Sequence, residues 1–164
     1  NIIFAWEDLN ELAKVNIEAA RSKLMDILCN YQGYKKCTLI LVFDAYKVEG
    51  NQGSVQKYHN IHVVYTKEAE TADQYIEKTV HEIGRKYHVT VATSDAMEQV
   101  IILGQGASRM SAKNLLDEIG QMKEEIREFY IEKQKKSGTY LFDSLPKEWE
   151  EFMEDVRLGR KKFE

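Results

Sequence analysis

Residues 88–112 read HVTVATSDAMEQVIILGQGASRMSA, and the order of residue types along this stretch decides the fold class. It opens as an apolar run rich in β-branched residues, halts at Thr93-Ser94-Asp95, and resumes as a helix-like segment that breaks at Gly104 and Gly106. A buried parallel strand that delivers a carboxylate to the rim of a sheet has this form.

Upstream, the same alternation repeats. In KEAETADQ, Thr71 and Gln74 stand in the Thr-x-x-Gln relation of a capping box, and Ala72, Tyr75, Ile76, Thr79, Val80 and Ile83 follow at helical spacing. A helix is predicted over about residues 71–87. Residues 39–43 are a continuous apolar run too short for a helix, hence a buried strand, and residues 61–65 are the next strand. Between them, residues 46–60 carry Gly50, Gly53 and Ser54 among charges with no sustained period, and read as a mobile surface excursion. Earlier still, Ile17, Ala20, Leu24, Ile27 and Leu28 mark an amphipathic helix over residues 15–30, with Gly33 as its end. The opening NIIFAW reads as the end of a strand or the turn after one. Strands alternating with helices of this length imply right-handed crossovers and a parallel sheet, an α/β domain.

Downstream, a helical pattern starts at Ser111 and runs through Leu115, Leu116, Ile119, Met122, Ile126, Phe129 and Tyr130 to Lys133, Lys135 and Lys136. Cations in a last turn suit the helix dipole without any bound RNA. Ser137-Gly138 is expected to break that helix. Ser144 and Pro146 then start a short one whose Trp149, Phe152, Met153 and Val156 form a single stripe, closed by Gly159. Residues 1–136 thus form the domain, and residues 137–164 a helical tail expected to dock on it.

With 164 residues, 43% hydrophobic and 30% charged, the chain suffices for one buried core. The net charge of −4 excludes a protein that grips nucleic acid by bulk attraction to phosphates. A local patch, metal ions or a larger partner must supply that attraction. No apolar run approaches the roughly 20 residues needed to cross a bilayer, and acidic residues stand where a signal peptide would be basic, so a cytoplasmic location with no membrane partner is expected. Cys29 and Cys37 lack CxxC spacing and a neighbouring histidine pair, which argues against a disulfide framework or zinc site.

Every strand of a parallel sheet ends on one rim, where the following helices begin. Asp44 directly follows the first visible strand, Asp73 lies in the first turn after the second, and Asp95 follows the third. Three carboxylates there repel each other and lose hydration, a cost that hard divalent cations, magnesium or manganese, relieve directly. Each also has a structural role open to it: Asp44 as a turn residue, Asp73 as a favourable charge at a helix N-terminus, Asp95 as an N-cap paired with Glu98. Arg109 and Ser111 could bind a phosphate near a helix start, or Gly104-Gln105-Gly106 could be a plain break with Ser111 as the cap. His59, His62, His81 and His88 lack metal-ligand spacing.

Taken in order, Val42-Phe43-Asp44-Ala45, Thr66-Lys67-Glu68 with Glu70-Thr71-Ala72-Asp73, Thr93-Ser94-Asp95 with Glu98-Gln99, and Gly104-Gln105-Gly106-Ala107 with Arg109 and Ser111 resemble the YacP-like branch of the NYN domain family, which is related to PIN nucleases. The resemblance covers about residue 1 to the middle of the long helix and leaves the tail outside. It implies a PIN-like three-layer α/β/α fold with a central, mainly parallel sheet. It also implies a metal-dependent endoribonuclease, using magnesium or manganese and associated with cleavage of mRNA on the ribosome. Asp44, Asp73 and Asp95 match the family's acidic positions and are the expected catalytic metal ligands. Asn1, Ser94 and Glu98 are expected to orient them, and Lys67, Arg109 and Ser111 to hold RNA phosphates. The family opens with a strand ending Asp-Gly-Tyr-Asn, whose Asp is a principal metal ligand. This sequence starts at the final Asn of that motif, Asn1, so the expectation is an N-terminally incomplete piece. Related domains end longer translational-GTPase-like chains, to which the tail could belong. Two other readings compete: a non-catalytic RNA- or ribosome-binding module with a degenerate metal site, and a receiver-like signalling domain, which the ETAD helix start and the GQGA segment fit poorly.

Overall fold

The structure is a computed structural model that describes residues 1–45 and 52–140, with side chains described as far as residue 134. The expected tail helix bearing Trp149, Phe152, Met153 and Val156 lies outside the described residues, as does the first part of the 46–60 excursion.

The chain opens with helices: α1 (Ile2–Ala5), α2 (Glu7–Val15) and α3 (Ile17–Lys35). Ile2–Ala5 of NIIFAW is therefore helical, contrary to the strand-end reading. Five apolar residues carry too little periodicity to tell the two apart. What fixes them is tertiary: Ile3, Trp6 and Leu9, three residues apart, turn one face into the core, and the Trp6 indole N–H donates to the Ala112 carbonyl at 2.8 Å. Asn16 caps α3, its side chain accepting from the backbone N–H groups of Glu18 and Ala19. Gly33 does not end α3. The helix runs on to Lys35 and stops at Lys36, whose left-handed backbone (φ 53°) closes it. A helical glycine costs about 1 kcal/mol relative to alanine, which burial of Leu24, Leu28 and Tyr31 on the same helix outweighs.

Strand β1 (Ile40–Phe43) pairs in parallel with β3 (Ile61–Tyr65), with Leu41 opposite Val63. The excursion before β3 contains a further strand, β2 (Ser54–Tyr58), antiparallel to β3 and joined to it through His59-Asn60. Its sequence, SVQKY, has no apolar run because β2 is an edge strand with its middle residues exposed. Asn60 pins the turn to α3 by donating to the Cys29 carbonyl at 2.9 Å. The same applies to β5 (Ser108–Ser111), which pairs in parallel with β4 (Thr90–Thr93) in a separate two-stranded sheet. SRMS reads as loop, and only its partner makes it a strand.

Helix α4 (Ala72–Ile83) begins with the capping box expected of Thr71 and Gln74, both reciprocal bonds being present. Helix α5 (Ala96–Gly104) follows β4, and α6 (Ala112–Tyr140) follows β5, with the Ser111 hydroxyl accepting from the Asn114 N–H. The break expected at Ser137-Gly138 does not occur, since α6 continues to Tyr140.

Ile3, Leu9, Leu24, Leu28, Ile61, Val63, Leu115 and Ile119 belong to one core cluster, against which Leu41 of β1 and Ala92 and Met110 of the second sheet also pack. Both sheets thus lie over the same layer of helices. On the opposite face Val80, Val91, Ile102 and Ala107 form a smaller cluster beneath α4 and α5. The architecture is three-layered α/β/α, with parallel pairing at β1–β3 and β4–β5 and one antiparallel edge. The chain forms two compact units, Asn1–Met122, which holds every strand of the described residues, and Lys123–Glu164. Among the described residues no helix is long and apolar enough to cross a membrane.

Candidate functional site

Each parallel strand ends in a residue that hands the chain to a polar loop, and two threonines shape those handovers. Thr66, 1% exposed after β3, accepts through its hydroxyl from the Ala45 N–H at 2.9 Å and donates its own backbone N–H to the Phe43 carbonyl. The loops that carry Asp44 and Lys67 are thereby tied together. Thr93, also 1% exposed, ends β4, where its hydroxyl accepts from the Asn1 side-chain amide at 2.7 Å and from the Asp95 N–H at 3.1 Å. Both threonines stand in the motifs quoted from the sequence, which assigns neither of them a role. The available signal was their position as the last residue of, or the first after, an apolar run.

Asp95 is an N-cap: its Oδ1 accepts from the N–H groups of Met97 and Glu98. Only half of a capping box forms, because the Asp95 N–H is taken by Thr93 and Glu98 does not reach back. Glu98 is the unusual group. It is 5% exposed and neither carboxylate oxygen has a hydrogen-bond partner. Burial pushes its carboxyl above the ordinary carboxylate range; the nearby Thr93 hydroxyl and Asn1 amide partly offset this, and the Asp73 and Asp95 carboxylates raise it further. Thr93 and Asn1 approach without completing a hydrogen bond. The two carboxylates whose repulsion reaches Glu98 belong to the first turn of α4 and to the N-cap of α5.

The expected residues therefore divide by position. Asp73 and Asp95 stand beside Glu98, and Asn1 and Ser94 adjoin them, the Ser94 N–H lying 3.5 Å from the Asn1 Oδ1. Asp44 leaves β1 at the C-terminal end of the strand parallel to β3, exposed, on the loop that Thr66 secures. Ser111 ends β5 opposite Thr93, at the rim, while Arg109 is exposed opposite Val91, two residues short of it. Helix α5 runs back from the rim by nine residues, about 13 Å at 1.5 Å per residue. Gly104-Gln105-Gly106 consequently lies at the opposite end of the sheet from Asp95. There it reverses the chain, with Gly106 at φ +81° and the Gln105 amide donating to Glu77 at 3.1 Å.

The groups that act on the buried Glu98 carboxylate are the Asp73 and Asp95 carboxylates together with the neutral Thr93 hydroxyl and Asn1 amide. That chemistry suits a hard divalent cation. Among the described residues no three His, Cys, Asp or Glu side chains already form a group that could hold a metal ion.

An α/β/α sandwich with carboxylates gathered where parallel strands end defines a PIN-like domain, a nuclease-type class in which divalent metals are the usual cofactors and RNA is the substrate an RNase of this class acts on. Within that class the chain belongs to the YacP-like NYN domain family, whose model matches residues 1–158. The match takes in most of the tail, which the sequence reading had left outside. The chain is 42% identical over 129 residues to YacP of Bacillus subtilis, covering 77% of this chain and 74% of that protein. It is similar to the crystal structure of Rae1 (YacP) from Bacillus subtilis, with a TM-score of 0.67 at 36% identity, covering 97% of this chain and 91% of that one. A tryptophan-to-leucine mutant of the same protein superposes with a TM-score of 0.67 at 38% identity over 78% of this chain and 75% of the other.

Proposed function

We propose that the domain is a metal-dependent endoribonuclease acting on RNA phosphodiesters, with mRNA in the context of the ribosome as its substrate and the cytoplasm as its location. The observation that carries this reading is Glu98: an unpartnered buried carboxylate facing Asp73 and Asp95. A fold gains nothing from such a group by itself, since an unsatisfied buried polar group costs about 1–3 kcal/mol and a charged one more. Asp73, Asp95 and Glu98 would hold a magnesium or manganese ion, with Asp44 approaching from the β1 side. Such an ion supplies charge neutralisation and an activated water when bound. Magnesium sites commonly use one or two carboxylates together with water and substrate phosphate, so three preassembled ligands are not required.

This chain's own residues do the rest. Thr93 holds the Asp95 backbone and the Asn1 amide in place, so the carboxylates meet the substrate already oriented. Lys67, exposed beside the secured loop, and Ser111, at the end of β5, offer a cation and a hydroxyl to a phosphate crossing the rim. Asp95→Asn is the direct test. Asparagine caps a helix about as well as aspartate, so the variant should melt within about 0.5 kcal/mol of the parent while losing RNA cleavage. Full cleavage by that variant in magnesium would sink the assignment.

The absence of a preassembled metal group among the described residues favours a second reading, a non-catalytic RNA- or ribosome-binding module. Calorimetric titration with manganese separates the two: heat that is lost in Glu98→Gln supports the nuclease, and no binding supports the module.

A further inference from the structure

Of the nine residues of α5 only Glu98 is ionisable, and Glu98 is buried. Ala96, Met97, Val100, Ile101, Leu103 and Gly104 are exposed, the four large ones by 45–73%. At 3.6 residues per turn these six positions fill one continuous arc. A surface helix ordinarily turns its charged and polar residues outward; α5 buries its carboxylate and exposes hydrocarbon. The exposed face begins at the rim, since the Met97 N–H donates to the Asp95 Oδ1 at 2.7 Å. A cation flanks it. Directly paired residues of adjacent strands point to the same side of a sheet. Val91, opposite Arg109, packs with Ile102 of α5, whereas Ala92 and Met110 pack on the other side. Arg109 is therefore an exposed cation on the sheet face that α5 covers. We propose that this face of α5 is a platform for the bases of single-stranded RNA running off the rim, with Arg109 holding the sugar–phosphate backbone beside it.

The platform rests on the rim acting as the nuclease site proposed above, and adds to it the nucleotides on one side of the scissile phosphate. Chemistry and size both select bases as the occupant. Proteins that hold single strands combine a cation that tracks the backbone with side-chain surface against which base faces lie. Both stand here side by side, and both lead away from the rim. A protein partner fits the size poorly. Four side chains on nine residues fall well short of the about 800 Å² a side that a stable protein interface buries. A helix about 13 Å long does span roughly four nucleotides at about 3.4 Å each in a stacked strand. The face offers bases hydrocarbon and no hydrogen-bonding side chain, so it adds affinity with little choice of sequence. That affinity is insensitive to salt, which suits a chain of net charge −4 with little general attraction for phosphates.

Fluorescence anisotropy on the full chain tests the platform, in magnesium and with Asp95→Asn in every protein to keep the RNA intact. The probes are a short unstructured RNA and an abasic ribose-phosphate oligomer of the same length. The reference protein should bind the base-bearing RNA about tenfold more tightly than the abasic one, by the same factor at every salt concentration. Met97→Gln/Val100→Gln keeps good helix formers on a solvent-facing arc. It should remove the preference while leaving the melting temperature and the affinity for the abasic oligomer as they were. Met97→Phe should widen the preference, because an aromatic ring stacks on a base better than a thioether chain does. Arg109→Ala should weaken both probes alike, with a salt slope shallower by about 0.7; an unchanged slope overturns the path beside α5. Equal affinity of the reference protein for the two probes overturns the platform alone, and binding of neither overturns it together with the nuclease reading. A preference that survives the glutamine variant also overturns it. So does a doubled mass of the reference protein that the glutamine variant loses, which gives the face to a second copy of the chain.

Discussion

Glu98 separates the demands of folding from those of chemistry. As a carboxyl whose folded pKa lies above its ordinary value of 4.5, it binds a proton more readily folded than unfolded. Its contribution to stability is therefore fully present below the unfolded pKa and is lost as pH rises through the folded one. In chelator, the parent should lose stability relative to Glu98→Gln as pH climbs from about 4.5 toward neutrality, and Glu98→Gln should be the more stable protein at pH 7. Chemical denaturation of both proteins at a series of pH values checks this. A difference that stays flat with pH would show that Glu98 is not the titrating group. Adding manganese should stabilise the parent and leave the variant unchanged, because a ligand that binds only the folded state stabilises it by mass action. None of this is visible in the sequence, where Glu98 is one acidic residue three places after an N-cap. Asp95 as a cap could be read there. One of the carboxylates that push the Glu98 carboxyl up, Asp73, stands in the first turn of α4, more than twenty residues earlier.

Helices α3 and α6 meet at a polar contact that the sequence did not announce either. The Tyr31 hydroxyl donates to a Glu118 oxygen at 2.6 Å, and Lys35 lies 3.3 Å from the same oxygen. The Tyr31 bond, and then Lys35, hold the Glu118 carboxyl below the usual range despite partial burial, while burial followed by the same bond raises the Tyr31 phenol. Tyr31→Phe should cost about 1 kcal/mol at pH 7, toward the low end for a bond to a charged acceptor because Glu118 is partly exposed. A depressed carboxylate contributes stability above its unfolded pKa and loses it as pH falls through the folded value. The gap between parent and Tyr31→Phe should therefore close in acid, and thermal melts at pH 7 and pH 3 measure it. A gap of the same size at both pH values would mean that the tyrosine acts through packing alone. Elements with their own periodicity or cap, α3, α4, β1, β3 and β4, could be read from the chain. Strands β2 and β5 could not, since SVQKY and SRMS become strands only through the ladders that β3 and β4 offer them. The end of α3 was misplaced for a related reason: packing carried the helix past a glycine that would stop an isolated one.

Charge on the whole chain limits how it can hold RNA. With 23 basic against 27 acidic side chains and carboxylates concentrated at the rim, little general attraction for a polyanion is available, and the few phosphate contacts must be local. For a single strand, the logarithm of affinity falls with the logarithm of salt by about 0.7 per phosphate neutralised. Two or three contacts at Lys67 and its neighbours then give a slope of about −1.4 to −2.1, well short of the steep values of basic RNA-binding domains. Fluorescence anisotropy with a short RNA, the cleavage-deficient Asp95→Asn protein and a range of potassium concentrations gives that slope directly. Lys67→Ala should make it shallower by about 0.7 and weaken binding at every salt concentration. Arg109→Ala reports on the path of the strand. Because Arg109 lies exposed on β5 two residues back from the rim, an equal loss there means that the RNA continues down that strand from Ser111. An unchanged slope confines the RNA to the rim between Lys67 and Ser111. A slope of about −5 or steeper would exceed what so few local cations can produce and would place the RNA on another surface altogether, detaching binding from the Glu98 cluster.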